Sequence, residues 1–139
     1  MAVMVLTAAY VSLTGPGLIN GALSKAELTA EVEEKDVTTF ASQGWKEVTG
    51  GLKSGSLGMT FFNDYTDDAL DEDMWTIFLA GVPVAFDVRW TSSAVTVSNP
   101  KYTGLVLPKS WSPINGSVGD VAGGDLTWPT SGAITRTTA

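Results

Sequence analysis

Residues 26–34 read Ala26-Glu-Leu-Thr-Ala-Glu-Val-Glu-Glu34, and this alternation decides the fold class. Ala26, Leu28, Ala30 and Val32 fall on one side, Glu27, Thr29, Glu31 and Glu33 on the other. A period of two with an apolar and a charged side is a half-buried β-strand. Asp36-Val-Thr-Thr-Phe40 continues it in strand-forming residue types. Upstream, Val3–Leu13 reads as a hydrophobic strand ended by Thr14-Gly-Pro-Gly17, and 18–23 as a bridge turning at Asn20-Gly21. Downstream, periodicity stops from Ala41 to Gly55, a stretch with four glycines in which Trp45 stands among polar neighbours. A loop of this length inside a compact domain is uncommon and usually functional. Two readings of it stay open: an Ω-loop with Trp45 folded back onto the core, or an exposed loop that contacts a partner.

Further strands are expected at Ser56–Asn63, Val82–Trp90 and Lys101–Trp111, the last an edge or bulged strand because Pro108 interrupts it. Ser112-Pro-Ile-Asn-Gly116 is a turn signal, 118–122 has no assigned type, and 125–128 with 133–137 give two short strands or one bent strand. Between the strands, Asp67–Ala80 is the one clear helix. Leu70, Met74, Ile77 and Phe78 form an apolar stripe at helical period. Its first half holds Asp67, Asp68, Asp71, Glu72 and Asp73, where the helix dipole favours anions. Thr66 or Asp67 is the expected cap, and Gly81 the left-handed stop. The sum is a mainly β chain: a sandwich or barrel of about seven or eight strands with one flanking helix, a single domain over 1–139.

The composition removes several function classes. The formal charge is −7, so no excess of Lys or Arg tracks a phosphate backbone. There is no cysteine and no histidine, which excludes disulfides, thiolate metal sites, Cys nucleophiles and imidazole acid–base chemistry. The N-terminus lacks a basic n-region, and no run reaches membrane-spanning length; a soluble, unprocessed chain is expected. Gly15–Gly21 has the wrong glycine spacing for a dinucleotide fingerprint, and Gly51-Leu-Lys-Ser54 lacks the glycine before lysine of a phosphate loop. The acidic run from Asp64 fails as a calcium loop, with Ala69 where glycine is needed and Trp75 where the bidentate Glu belongs. No pair of carboxylates stands out for glycoside chemistry. The expectation is no enzyme, no cofactor and no metal.

An ordered set of segments carries a resemblance. Asp36-Val-Thr-Thr-Phe40, Gly44-Trp-Lys-Glu47, Gly51–Leu57, Phe62-Asn-Asp-Tyr65, the helix with Met74-Trp75, and the tail from Ser112–Asp120 through Leu126–Pro129 to Gly132–Arg136 occur in sequence. Together they resemble the major tail tube proteins of long-tailed phages, particularly those of actinobacteria, over nearly the whole chain. The resemblance implies a β-sandwich that assembles as hexameric rings stacked into a hollow tube. The sheets of neighbouring subunits would join into an inner barrel, and DNA would pass as transiting cargo. It implies self-association, contacts with other tail proteins such as tape measure and terminator, no membrane partner, and a place in the virion after assembly in the host cytoplasm. The ring-to-ring loop falls on Val37–Ser54, with Val37, Thr38, Thr39, Phe40, Trp45, Lys46, Leu52 and Lys53 as contact candidates. Glu27, Glu31 and Glu33 on one strand face are candidates to line the bore, where like charge would keep DNA from sticking. A virion binding or decoration module, and the tube protein of a contractile injection system, are the alternatives.

Overall fold

The computed structural model describes residues 3–66 and 69–139. Seven antiparallel strands and one α-helix make a mainly β fold. The strands are β1 (Tyr10–Leu13), β2 (Gly17–Leu18), β3 (Leu23–Asp36), β4 (Val48–Phe62), β5 (Val84–Arg89), β6 (Lys101–Val106) and β7 (Gly123–Thr137), with α1 (Leu70–Ala80) between β4 and β5. They lie in the order β2-β1-β5-β6-β7-β4-β3. The long β7 is the pivot of this sheet. Residues 123–129 pair with β4 and residues 130–137 pair with β6. The partner changes at Pro129, whose ring removes a ladder donor, and the β6 register slips where Gly132 takes a φ of 82°. One sheet thereby folds into two facing halves.

The core lies between those halves. Leu57, Met59 and Phe61 of β4, with Leu126 and Trp128 of β7, form one buried cluster with Val11, Leu13, Phe86 and Val106 of the other half. Trp128 is fully buried, and its indole N–H donates to the Ser110 carbonyl at 2.9 Å, so its polar atom is satisfied. The helix closes one end of this space. Leu70, Met74 and Ile77 are buried and Phe78 packs against them half-buried, as the stripe predicts. Each such fully buried side chain contributes about 1.5–3 kcal/mol. Gly81 stops the helix in the left-handed region at φ 65°. The start differs from expectation: Ala69 occupies the N-cap position without a side-chain cap, and the helix begins at Leu70. Thr66 lies upstream and accepts the Ala69 N–H through its backbone oxygen at 3.1 Å. Asp67 and Asp68 lie outside the described residues. Asp71, Glu72 and Asp73 do occupy the first turn.

Several boundaries move. The first strand is Tyr10–Leu13 rather than 3–13, and Val3, Met4, Val5 and Leu6 are exposed. Strand β3 stops at Asp36, because residues 36–42 turn instead of extending to Phe40. The largest correction is at 41–55: β4 starts at Val48, so the loop shrinks to 37–47. Glycines that read as loop signals belong to this strand. At Gly55 a Cβ would meet the Thr29 carbonyl oxygen at 2.8 Å and Ile134 Cδ1 at 2.7 Å, so only hydrogen fits. Strand β6 ends at Val106, before the buried Pro108. The two C-terminal segments are one bent strand.

Candidate functional site

Strands β3 and β4 pair along their whole length, from Leu23↔Phe61 to Asp36↔Val48. β4 pairs with β7 only over 56–62. Past Gly55, β3 and β4 therefore have only each other, and the hairpin leaves the sandwich as a two-stranded ribbon. Every residue from Glu31 to Gly50 except Ser42 is exposed. An extra residue on β4 opposite 32–34 makes a bulge there, a device that adds local twist.

Local hydrogen bonds order the tip. The Asp36 carboxylate accepts the Thr38 N–H at 2.9 Å, turning the chain out of β3. Thr38, through its hydroxyl first and its N–H second, holds the Asp36 carboxyl below its ordinary value. The Thr38 hydroxyl also reaches across the loop, accepting the Glu47 N–H at 2.8 Å, and the Val37 N–H donates to the Glu47 carbonyl at 3.0 Å. Ser42, the one buried residue of the tip, accepts the Thr39 N–H on its Oγ at 3.2 Å. The chain then reverses through Gln43 and Gly44, both at positive φ (54° and 85°). Gln43 holds a conformation that non-glycine residues adopt rarely.

What this order presents includes large apolar side chains among polar ones. Phe40 is 105 %, Trp45 80 % and Leu52 80 % exposed, and Val37 is exposed beside them. The reading in which Trp45 folds onto the core is overturned: the tip is tied up by Ser42 and Thr38 instead, and the indole points to solvent. Phe40 and Trp45, with Asp36, Thr38, Thr39, Gly44 and Lys46, line an open recess of about 610 Å³. Lys46 pairs with Glu34 at 3.0 Å, but both are exposed and such a pair stabilises by at most about 1 kcal/mol. Lys53 sits opposite Val32 in the register and has no ion pair among the described residues.

The three candidate acids of β3 share the face turned away from the core. Glu27 stands opposite Gly58 and Glu31 opposite Ser54, while Glu33 packs beside Gly51. Lys25 and the Thr29 hydroxyl contact Glu27 at 3.5 and 3.1 Å, and Lys35 pairs with Glu33. Glu31 has no ion pair among the described residues. The register adds residues that sequence reading did not single out: Ser56, Gly58 and Thr60 of β4, then Asp125 and Thr127 of β7. Their signal was present, since they alternate with the buried Leu57, Met59, Phe61 and Leu126. The face carries small polar side chains, acids and the two lysines Lys25 and Lys35 that pair with them.

The acids of α1 are engaged differently. Asp71 accepts the Trp111 indole N–H at 3.1 Å and the Asn63 amide at 3.2 Å. Among the described residues no His, Cys, Asp or Glu group is placed to hold a metal ion, and no helix is long and apolar enough to cross a membrane.

No protein-family model and no curated protein sequence matches the chain. Solved structures do. The chain is similar to one in the virion of a native gene transfer agent particle, with a TM-score of 0.74 and 24 % identity over 93 % of this chain and 95 % of that one. It is also similar to one in the tail of an empty gene transfer agent particle, solved with helical refinement and C6 symmetry. There the TM-score is 0.72 and the identity 27 %, over 94 % of both chains. The fold of this chain is thus that of a component of a phage-like tail.

Proposed function

We propose that the chain is a single-domain structural subunit of a phage-like tail tube, with no catalytic role. It assembles as hexameric rings that stack into a hollow conduit. The observation that carries this reading is the ribbon 31–50: ordered by its own hydrogen bonds, tipped with Phe40 and Trp45, and exposed throughout except at Ser42. An ordered apolar projection is unfavourable in water unless a partner covers it, and large exposed apolar patches mark interaction sites. The likeness to a chain from a C6-symmetric tail supports further copies of the same subunit as the partner. In this reading Val37, Thr38, Thr39, Phe40, Trp45, Lys46, Leu52 and Lys53 make the ring-to-ring contact, with Trp45 as anchor. The free edge of β3 pairs laterally with the next subunit, which removes an edge otherwise prone to uncontrolled pairing. Glu27, Glu31 and Glu33 then line the bore and repel transiting DNA, whose phosphates would stick to cations. The subunit acts in the particle tail, after assembly in the host cytoplasm, beside tape measure and terminator proteins.

Replacing residues 38–46 with Asn-Gly, a favoured two-residue hairpin turn, tests the role of the tip. Circular dichroism and sedimentation of both proteins are the readouts. The shortened chain should keep its β spectrum and cooperative unfolding yet stay unassembled under conditions where the full chain sediments as large particles. Equal sedimentation of the two would remove the tip from assembly.

A further inference from the structure

The pole of the subunit opposite the hairpin carries a second ordered apolar projection. Strand β4 connects the two: it begins at Val48, beneath the hairpin tip, and ends at Phe62, about 45 Å away at the strand rise. At that far end the segment 112–122 is pinned in place. The Asn63 N–H donates to the Ala122 carbonyl at 2.8 Å, its side-chain amide donates to the Pro113 carbonyl at 3.0 Å, and the Tyr65 hydroxyl donates to the same carbonyl. The Gly123 N–H closes the segment on the Asn115 carbonyl at 2.9 Å. Inside it, the Asp120 N–H donates to the Ser117 carbonyl at 2.9 Å and Gly119 takes φ 89°, a turn with glycine at its third position. That turn holds Val118 at the apex, 105 % exposed, with Ile114 (88 %) and Val121 (71 %) beside it. Scattered exposed apolar residues are ordinary. A loop fixed by hydrogen bonds with its three large apolar side chains all outward is not.

We infer that this apex is the acceptor for the hairpin tip of a second copy of the chain. The pairing rests on the tube reading above and supplies the complement that reading lacks. A contact repeated by translation along an axis is heterologous: one patch of each subunit meets a different patch of the next. The tip offers an open recess with the exposed rings of Phe40 and Trp45 beside the polar Asp36, Thr38, Thr39 and Lys46. The opposite pole is convex and apolar, with Val118 foremost. Both stand at the ends of one continuous strand, so head-to-tail stacking along β4 brings them together. Ile114, Val118 and Val121 pack against the rings of Phe40 and Trp45, and burial of these side chains closes ring on ring.

The chain has no cysteine, so single introduced thiols report the contact cleanly. Ala41→Cys and Ser117→Cys change exposed residues next to, but not in, the two apolar patches. Mixed and oxidised, the two variants should give a covalent dimer that neither gives alone, and the doubly substituted chain should give a ladder. Tubes seen by electron microscopy without that dimer would overturn the pairing and leave the tube reading standing. Absence of both tubes and dimer would overturn both, and dimers from either variant alone would show a like-to-like contact instead. Val118→Asp should raise the critical concentration for assembly roughly tenfold or more, with unfolding unchanged. An unchanged critical concentration counts against the inference.

Discussion

The Trp111 indole N–H donates to Asp71 Oδ1 at 3.1 Å, although the two residues are forty apart in the chain. The same oxygen accepts the Asn63 amide at 3.2 Å, and the Trp111 ring stacks on Phe61 with centroids 4.6 Å apart. One carboxylate thus joins the helix, the end of β4 and the start of the 112–122 segment. An acid that reads in sequence as part of an N-terminal helix cluster is the tie that fixes the pole opposite the hairpin.

Asp71→Ala should therefore cost more than an ordinary helix-surface substitution. It strands the part-buried Trp111 indole N–H and leaves the Asn63 amide with the Pro113 carbonyl alone, a loss of about 1–3 kcal/mol in urea-induced unfolding. Asp71→Asn keeps an acceptor and should cost less. Equal unfolding midpoints for Asp71→Ala and the wild type would show that the tie is dispensable.

Phe40→Ala and Trp45→Ala should separate assembly from folding. Both side chains contact almost nothing in their own subunit, so stability should stay within about 0.5 kcal/mol of wild type. Particle formation by light scattering should be strongly reduced. A marked drop in unfolding free energy would mean that these aromatics pack within the subunit after all.

The tip should loosen in acid. Asp36 has its native pKa lowered from 3.8 by Thr38, so the native state releases this proton more readily than the unfolded chain. The contribution to hairpin order is complete above about 3.8 and is lost as pH falls through the lowered native value. Carboxyl NMR titration should show this, and Thr38→Val should move the Asp36 midpoint back toward the ordinary value. A midpoint that does not respond to Thr38→Val would locate the cause elsewhere.

Gly55→Ala probes where the ribbon leaves the sandwich. The added methyl meets the Thr29 carbonyl oxygen, a backbone atom that has little room to yield. Destabilisation of about 1–3 kcal/mol is expected, read from thermal unfolding. Gly44→Ala, at the exposed tip, has open space around its Cβ and should show only the cost of a positive φ.

The helix and the start of the strand at 26–34 were legible because each has an inside and an outside: Ala26 and Leu28 pack on the core, while Ala30 and Val32 keep the period but are exposed. The ribbon was not. Past Glu34 both faces meet solvent, and without a core side there is no alternation to read. Gly50, Gly51 and Gly55 then looked like loop residues, when their small size serves close contacts with Val32, Lys35 and Ile134. The partner change in β7 is a long-range choice that no local window contains. Trp45 among polar neighbours did mark the tip, and the odd residues of β3 marked the acid face. The opposite pole escaped notice because Ile114, Val118 and Val121 stand singly among turn-forming residues, and only the fold gathers them.

Electron microscopy of the purified chain, carried to a helical reconstruction, tests the tube most directly. The predicted result is six-fold rings stacked into a hollow tube, with residues 31–50 bridging successive rings and Glu27, Glu31 and Glu33 facing the bore. A monodisperse monomer at high concentration would contradict it. Tubes with those three glutamates on the outer wall would retain the assembly and remove the acid-lined conduit.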